Sequence, residues 1–358
     1  MIALVLIAVL ATMNLASAAP TETGFVATTE LINYGGMTTA EVNTFIRICA
    51  GQDLTELTLR LNAMNEWSSE KPSASYVTKT KEIIKAANAA GININIDLHT
   101  WYTTWDNYFR DSASNCAPNR AKYLNYVEVA IDAFAGYNVK AWMVLNEPQA
   151  RKASTSENNF ILDIIRTAKA NTAQPVSVRF MCGYSPSTGH YATAIDTASN
   201  FLCRNTYWDP RSPSTTVYGT TEAKILTALS TAHKAGKELW ITEFGEPKSN
   251  VNEQQRYVEA FVQYAKEKGI DRIFCWVSQP ESGSGESYNT FNGYVPNPAF
   301  YELISYAPPA SPTSPPAPTP TPSPTPTPTP SPTPWTSRDR YSSSYDSDRT
   351  SYRQYSRR

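Results

Sequence analysis

The feature that most constrains the fold is an alternation of short apolar runs with longer amphipathic stretches between Gly24 and Tyr306. Eight of the runs are almost continuously apolar, which is typical of parallel strands that are buried on both faces. The strands predicted in this way are Gly24–Thr28, Leu57–Leu61, Ile92–Leu98, Ala141–Leu145, Val176–Cys182, Phe201–Cys203, Leu239–Thr242 and Ile273–Val277.

The stretches between these runs carry apolar residues at spacings of three and four, which predicts helices. Several are followed by Gly91, Gly136 or Gly269, and glycine is the usual residue just beyond a helix end. Examples are Ser75–Ala90, Ala121–Phe134, Glu157–Ala170 and Glu253–Lys268. Eight strands, each followed by a helix, favour an α/β fold of the (β/α)8 TIM-barrel type over an open doubly wound sheet. No GxGxxG or GxxxxGK[ST] motif argues for a nucleotide-binding fold.

Both ends of the chain differ from this pattern. Residues 1–18 form a short apolar run that closes on Ala16-Ser17-Ala18, which predicts a signal peptide cleaved after Ala18 and a secreted, extracellular protein. No Lys or Arg precedes Arg47, so an uncleaved N-terminal anchor is the alternative. The predicted catalytic domain then covers residues 19–307.

Residues 308–334 consist of Pro, Thr, Ser and Ala and hold more than half of the 26 prolines, which predicts an extended linker. Residues 335–358 are rich in Arg, Tyr and Ser and contain no aliphatic side chain, which predicts a disordered tail. Two interpretations of the tail stay open: an end without a function, or a contact with a cell surface or wall.

Charge and cysteine content exclude several classes of function. With 31 basic and 32 acidic residues, the chain has no electrostatic attraction for nucleic acid or for an anionic membrane. None of the five cysteines lies in a CxxC or Cys/His cluster, so structural zinc is not expected. Cys182, Cys203 and Cys275 lie in strand-like segments and are expected to be buried, while a disulfide remains unassigned.

Two glutamates follow apolar runs at the ends of predicted strands. Glu147 ends AWMVLNE and Glu243 ends ELWITE, on strands four and seven. Active sites of TIM barrels form at the C-terminal ends of the strands. A single glutamate there is more often an ion-pair partner or a helix cap, but two in these contexts predict a catalytic pair. Glycosidic cleavage needs a proton donor and a second carboxylate, and a separation of roughly 5–5.5 Å lets that carboxylate attack directly with retention of configuration.

These motifs resemble those of clan A glycoside hydrolases, above all the family 5 group of cellulases and mannanases. The resemblance spans the predicted barrel and is sharp at the strand ends. It implies that Glu147, in Asn-Glu-Pro, is the acid/base and that Glu243, in Thr-Glu-Phe-Gly, is the nucleophile. It also implies that Asn146 binds the 2-hydroxyl of the sugar.

The resemblance adds an Arg at the end of strand two, a His at the end of strand three and a Trp under the sugar at the end of strand eight, which correspond to Arg60, His99 and Trp276. Asp97, close to His99, is interpreted as a structural residue on the opposite face of its strand. Arg60 could also be an ion-pair partner at the barrel floor.

On strand six the family has a His-x-Tyr motif, whereas this chain has Asn205-Thr206-Tyr207. The resemblance implies that Tyr207 hydrogen-bonds the nucleophile. Asn205 in place of the His leaves the subfamily and substrate open, and Asn205 could also only cap the strand. We expect Arg60 and Tyr207 to keep Glu243 ionised, and the charge of its neighbour to raise the pKa of Glu147.

Aromatic residues are frequent in the segments after the strands, and flat rings pack against the C–H faces of sugars. Trp101, Trp208 and Trp276 are the candidates for this role, although some aromatic residues will only pack loops onto the barrel.

We therefore expect a secreted, retaining endo-β-1,4-glucanase that acts on a polysaccharide or oligosaccharide by double displacement. The alternatives are a β-mannanase or other β-glycanase, a transglycosylase, and a non-catalytic carbohydrate-binding protein. We expect no metal or organic cofactor, no nucleic-acid partner, no membrane contact beyond the N-terminal segment, and a monomer.

Overall fold

The computed structural model describes residues 25–32, 34–61, 63–100, 102–148, 152–245, 251–276, 291–292, 295–296 and 298–304. Eight parallel strands follow one another in chain order and form a closed barrel, in which β1 pairs with β8. The predicted TIM barrel is therefore confirmed. The barrel strands are β1 Val26–Leu31, β2 Glu56–Leu61, β3 Asn93–Leu98, β4 Val139–Asn146, β5 Val176–Met181, β6 Leu202–Asn205, β7 Leu239–Phe244 and β8 Arg272–Cys275.

Helices follow the strands and cover the outside of the barrel. They are α1 Thr39–Ala50, α2 Ala63–Glu66, α3 Ala74–Ala89, α4 Tyr102–Thr104, α5 Cys116–Asp132, α6 Thr155–Asn171, α7 Thr193–Ala198, α8 Glu222–Lys234, α9 Val251–Lys268 and α10 Pro298–Ile304. A short antiparallel pair, β9 Phe291–Asn292 and β10 Val295–Pro296, precedes α10. Gly91, Gly136 and Gly269 follow α3, α5 and α9 with positive φ, as predicted for helix ends.

Four strands extend further toward their C-terminal ends than the apolar runs predicted. β1 continues to Leu31 and includes Glu30, β4 continues to Asn146, β6 continues to Asn205, and β7 continues to Phe244 and includes Glu243. The apolar run stops at the first polar residue, but the backbone hydrogen bonding between the strands continues beyond it. Polar side chains fit these strand ends because they point into a barrel that already contains polar partners.

The barrel has an apolar outer face and a mixed interior. Alternate residues of each strand, such as Leu57, Leu59 and Leu61, belong to the main hydrophobic cluster that the sheet forms with the helices. A smaller apolar cluster consists of Ala141, Met143, Phe201, Cys203, Trp240 and Phe274. Many of the other buried strand positions carry polar or charged side chains, among them Thr28, Asn95, Glu30 and Arg179.

All five cysteines lie among the described residues, and all are free thiols. Cys182, Cys203 and Cys275 are buried, as predicted, and burial raises the pKa of Cys182 and of Cys203 to about 12. Within the part of the chain that the structure describes, no helix is both long and apolar enough to span a membrane. The predicted signal peptide at residues 1–18, linker at 308–334 and tail at 335–358 lie outside the described residues.

Candidate active site

Register shifts occur in the ladders that carry the two glutamates. The β4–β5 pairing shifts between Met143 and Asn146, and the β7–β8 pairing shifts between Ile241 and Phe244. Irregularities of this kind re-aim side chains and are frequent next to active sites. The effect is visible in β7, where the consecutive residues Thr242 and Glu243 both have side chains that contact the same buried polar cluster. In a regular strand, they would point to opposite faces.

Glu243 is almost fully buried and accepts two short hydrogen bonds. Its Oε1 accepts from Arg179 Nη2 at 2.7 Å, and its Oε2 accepts from the Tyr207 hydroxyl at 2.5 Å. Its backbone carbonyl accepts from the amide of Thr206, just after β6. One carboxylate oxygen thus has a donor from β5 and the other a donor from the segment after β6, so the orientation of the group is set by the barrel.

Glu147 follows the last residue of β4 and is partly exposed. Its Oε1 accepts from Asn205 Nδ2 at 3.0 Å, and its backbone amide donates to the carbonyl of Arg179. Its φ of +45° lies in the left-handed region, which is strained for a residue with a side chain. The neighbouring strand holds this backbone, so the strained turn presents the carboxyl group beside Asn205.

Asn205 connects the two carboxyl groups. Its Nδ2 donates to Asn146 Oδ1 as well as to Glu147, both at 3.0 Å. Its Oδ1 accepts from the Thr242 hydroxyl at 2.8 Å, next to the nucleophile candidate. Asn205 and Glu243 are also direct partners in the β6–β7 register. The side chain that departs from the family motif is therefore at the centre of the cluster and does more than cap its strand.

His99 is buried and uncharged in this environment. Burial is the main cause that holds its pKa well below the usual range, and the nearby Arg60 charge adds to the effect. Its Nδ1 lies 2.9 Å from Asp97 Oδ2, and its Nε2 lies 3.4 Å from Asn146 Nδ2. A neutral ring with the proton on Nδ1 satisfies both contacts, because it donates to Asp97 and accepts from Asn146.

Burial raises the pKa of both glutamates. For Glu243 the pKa rises to about 8, because burial and the nearby Glu147 charge outweigh the opposing charge of Arg179. For Glu147 burial is again the main cause, and the hydrogen bond from Asn205 acts in the opposite direction. The expectation that the neighbouring charge would dominate at Glu147 is corrected, because the largest cause is the loss of hydration. The expectation for Glu243 is corrected as well: its pKa is raised, and the cation on its carboxylate is Arg179.

Trp276 lies at the end of β8 and is 8% exposed. Its ring packs against Ile32 and Tyr207, and the Arg60 guanidinium carbon lies 5.6 Å from the ring centroid. Arg60 also pairs with Glu30 at 3.5 Å. The structure therefore brings Arg60, Tyr207 and Trp276 to one side of Glu243, and Arg60 is at the C-terminal end of β2 rather than at the barrel floor.

Two more tyrosines flank the glutamates. Tyr218 is 65% exposed, has a positive φ and contacts the Tyr207 ring edge-on at 5.6 Å. Tyr184 stacks on His190, and its pKa is raised mainly by burial and then by the charge of Glu147. Aromatic rings therefore lie close to each of the two glutamates, which suits a bound sugar chain.

Sequence reasoning missed the charges under the site: Glu30, Asp97 and Arg179. Asp97 is not on the opposite face from His99, because residues two apart in a strand share a face, and it contacts both His99 and Arg179. The available signal was a charged residue within an otherwise apolar strand, as in VSVRFM. Glu30, Asp97 and His99 also offer donor atoms close enough for a metal ion. However, the Arg179 guanidinium already bonds both carboxylates, so the set fits an ion-pair network better than a cation site.

Trp208 is not part of the cluster, unlike its neighbour Tyr207. It is 1% exposed, packs edge-on against Tyr264 of α9 and donates to the carbonyl of Pro213. Alternation after β6 sends Tyr207 toward the site and Trp208 toward the helices, so the Trp208 ring does not face a sugar. Trp101 and Glu246 lie outside the described residues.

The family model described as Cellulase (glycosyl hydrolase family 5) matches residues 36–282, which include both glutamates and most of the barrel. The chain belongs to glycosyl hydrolase family 5. It is thus a family 5 glycoside hydrolase, and the resemblance at the strand ends is confirmed at the level of the family. A search of curated protein sequences gave no match.

Solved structures share the fold of this family 5 chain at low sequence identity. The endo-1,4-β-D-mannanase from Thermotoga petrophila RKU-1 has a TM-score of 0.57 at 14% identity, over 78% of this chain and 98% of that one. A GH113 β-1,4-mannanase has a TM-score of 0.59 at 12% identity, over 79% and 97%. The GH5_18 protein from Bifidobacterium longum subsp. longum ATCC 55813 has a TM-score of 0.59 at 14% identity, over 79% and 78%.

Proposed function

We propose that this family 5 hydrolase is a retaining enzyme that cleaves β-1,4-linked glycans, with Glu147 as the acid/base and Glu243 as the nucleophile. The observation that carries the proposal is the pair of strand-end carboxyls linked through one amide, Asn205. Asn205 donates to Glu147 and is linked to Glu243 through Arg179, whose Nε approaches Asn205 Oδ1 and whose Nη2 donates to Glu243. The charge of Glu147 acts on the pKa of Glu243, so the two groups share one site.

The singly protonated pair is the reactive form. Because the two carboxyls interact, they lose their protons in two steps that belong to the pair. Glu243 accepts from a guanidinium and a phenol, whereas Glu147 accepts from a neutral amide. Donors to a carboxylate favour its ionised form, so the remaining proton resides on Glu147.

Double displacement needs this distribution, with the proton on Glu147 and the negative charge on Glu243. In the first step, Glu147 donates its proton to the leaving oxygen while Glu243 bonds to the anomeric carbon. In the second step, Glu147 removes a proton from water, which then displaces Glu243 from the sugar. Asn146 is positioned by Asn205 and His99 to bind the 2-hydroxyl, and Trp276 with Arg60 and Tyr207 forms the wall of the adjacent sugar site.

For the substrate we place β-1,4-glucan first, with endo action, because the matched family model bears the cellulase description. β-Mannan is the second candidate, because mannanases are among the similar structures and one GH5_18 variant was solved with Manβ1-4GlcNAc. Transfer of the glycosyl group to a second sugar uses the same first step and differs only in which acceptor reaches the intermediate.

The decisive experiment is hydrolysis of β-glucans, mannans and xylans by the wild type, with the anomeric products followed by NMR. A first-formed β-product is expected, whereas an inverted product would contradict the nucleophile assignment. Falling viscosity ahead of reducing-end release supports endo action, and oligosaccharides longer than the substrate identify transfer.

Azide separates the roles of the two glutamates on an aryl glycoside with a good leaving group. Glu147→Ala should form the glycosyl intermediate without acid assistance, and azide should convert it to a β-glycosyl azide. Glu243→Ala should give an α-glycosyl azide, because azide then takes the place of the missing nucleophile. The same azide anomer from both variants would refute the assignment.

We also propose that the protein is exported after cleavage behind Ala18, as the sequence of residues 1–18 suggests. N-terminal sequencing of protein recovered from the culture medium should then begin at Ala19. Recovery only from the cell fraction with Met1 intact would favour the anchor alternative.

A further inference from the structure

Arg179 is a fully buried charge of the site. It lies on β5 with 0% exposure, and its guanidinium contacts three carboxylates. Nη2 donates to Glu243 Oε1 at 2.7 Å and to the carbonyl of Thr242 at 2.5 Å, while Nη1 donates to Glu30 at 3.2 Å and to Asp97. Nε approaches Asn205 Oδ1 at 3.5 Å. A planar guanidinium held at so many points has a single orientation.

Arg179 and Arg60 have different places in the site. Among the charges that act on Glu243, that of Arg179 is the strongest one that lowers its pKa, and Arg60 contributes less. Arg60 lies over the ring of Trp276, on the side where the sugar would bind. Thus Arg60, to which the sequence motif points, lies beside the proposed sugar site. Arg179, from a different strand, contacts the proposed nucleophile.

We propose that Arg179 is the positioning residue of the nucleophile: it orients Glu243 and stabilises its carboxylate form, while Glu30 and Asp97 hold Arg179 in place. The proposal rests on the proposed double displacement and adds to it a residue on β5 that the strand-end motifs do not contain. Arg179 acts through Glu243, because the carboxylate lies between the guanidinium and the reacting carbon.

The two supporting carboxylates matter during the reaction. When the bond between Glu243 and the anomeric carbon forms, the glycosidic bond breaks and the leaving oxygen takes the proton of Glu147. Glu243 then becomes an ester and loses its negative charge. Arg179 remains paired with Glu30 and Asp97. The guanidinium therefore keeps its position through the intermediate and is ready for the carboxylate when water releases the sugar.

The test is Arg179→Lys in the full-length protein, with Arg272→Lys as the matched control. Arg272 is equally buried but pairs with Glu56 and Glu238 at the other end of the barrel. The probe is a 2-deoxy-2-fluoro-β-glycoside with an activated leaving group, which traps the glycosyl-enzyme. Mass spectrometry identifies the labelled residue and gives the trapping rate as a function of pH and probe concentration.

In Arg179→Lys the trapping rate constant should fall on the order of 100-fold with little change in the apparent Kd of the probe, because only the nucleophile is disturbed. Weakening the cation raises the pKa of the carboxyl, so the acid limb of the rate should move up by about one pH unit. Arg272→Lys should lower Tm but keep the wild-type rate and pH profile.

Thermal unfolding shows whether Arg179→Lys is folded, and a charge-balanced second variant, Arg179→Gln with Asp97→Asn, applies if it is not. Wild-type trapping at Glu243 together with an unchanged rate and acid limb in the folded variant overturns the inference. A slower rate with an unshifted acid limb also overturns it, because a structural role alone would do that. Failure of every probe to label Glu243 in the wild type would instead overturn the proposed function.

Discussion

The two ends of the barrel interior use the same residue types in opposite ways. We define the floor cluster as Glu56, Glu238, Lys140 and Arg272, and the site cluster as Glu30, Asp97, Glu147, Glu243, Arg60 and Arg179. In the floor cluster two carboxylates face two cations, and Glu56 bonds both Lys140 and Arg272. In the site cluster four carboxylates share two arginines.

The comparison shows that the floor cluster stabilises the barrel, whereas the site cluster provides the proposed chemistry. A buried charge with full compensation is costly to unpair, so the floor cluster holds the strands together. Burial is the main cause of the raised pKa values of Glu147 and Glu243, and at Glu243 the charges of Glu147 and Glu30 add to it. Protonated carboxyls at one end of the barrel therefore follow from burying more carboxylates than the arginines there can pair, which the other end avoids.

The largest effect is expected for Glu243→Gln, which should lower kcat by about 10⁴-fold or more because the proposed nucleophile is lost. Tm at pH 8 should stay equal to that of the wild type or rise, since the substitution removes charge from an over-charged cluster. Initial rates and calorimetry measure both quantities. A variant that is inactive because it is unfolded would contradict this comparison.

Glu56→Gln is the same substitution at the floor end of the barrel. It should lower the stability of the protein and leave its activity almost unchanged. Loss of the charge that faces Lys140 and Arg272 should lower the free energy of unfolding by about 3 kcal/mol. The kcat of the folded protein should stay within twofold of the wild type. Urea unfolding and kinetics on one preparation test this, and a large fall in kcat would show that the two clusters are not independent.

The pH dependence of stability should follow the site cluster. Because the pKa values of Glu147 and Glu243 are raised in the folded state, the folded state binds more protons than the unfolded state between about pH 4.5 and pH 8. The stability that the pair contributes is complete below that window and is lost as the pH rises through about 8. Tm should therefore fall across this range in the wild type. The fall should be smaller in Glu243→Gln, and an identical slope would assign the effect elsewhere.

A smaller effect is expected at the two buried amides. Asn205 donates to Glu147 in the site cluster, and Asn95 donates to Glu56 in the floor cluster, at 3.0 and 3.1 Å. Asn205→His should reduce kcat/KM roughly tenfold and add an ionisation to its pH profile, because imidazole titrates where an amide does not. Asn95→His should lower Tm without changing that profile. Equal profiles for the two variants would show that Asn205 is only structural.

The sequence by itself predicted the barrel, which the structure confirms, and the two glutamates, which the structure brings close together. Long apolar runs alternating with amphipathic helices have few solutions besides a closed parallel sheet, and polar residues that end such runs must meet at one edge. Arg60, His99, Asn146, Asn205, Tyr207 and Trp276 followed from the same edge and the family motifs, and the structure brings them together around Glu147 and Glu243.

Only the tertiary structure decided which charges meet inside the barrel. Glu30, Asp97 and Arg179 come from three strands, and their contact depends on strand stagger and register shifts that local sequence does not encode. The same holds for Trp208, which alternation turns toward α9 while Tyr207 reaches the nucleophile. Hydration is likewise a property of the folded molecule, so the raised pKa of the two glutamates arises when the closed barrel removes them from water.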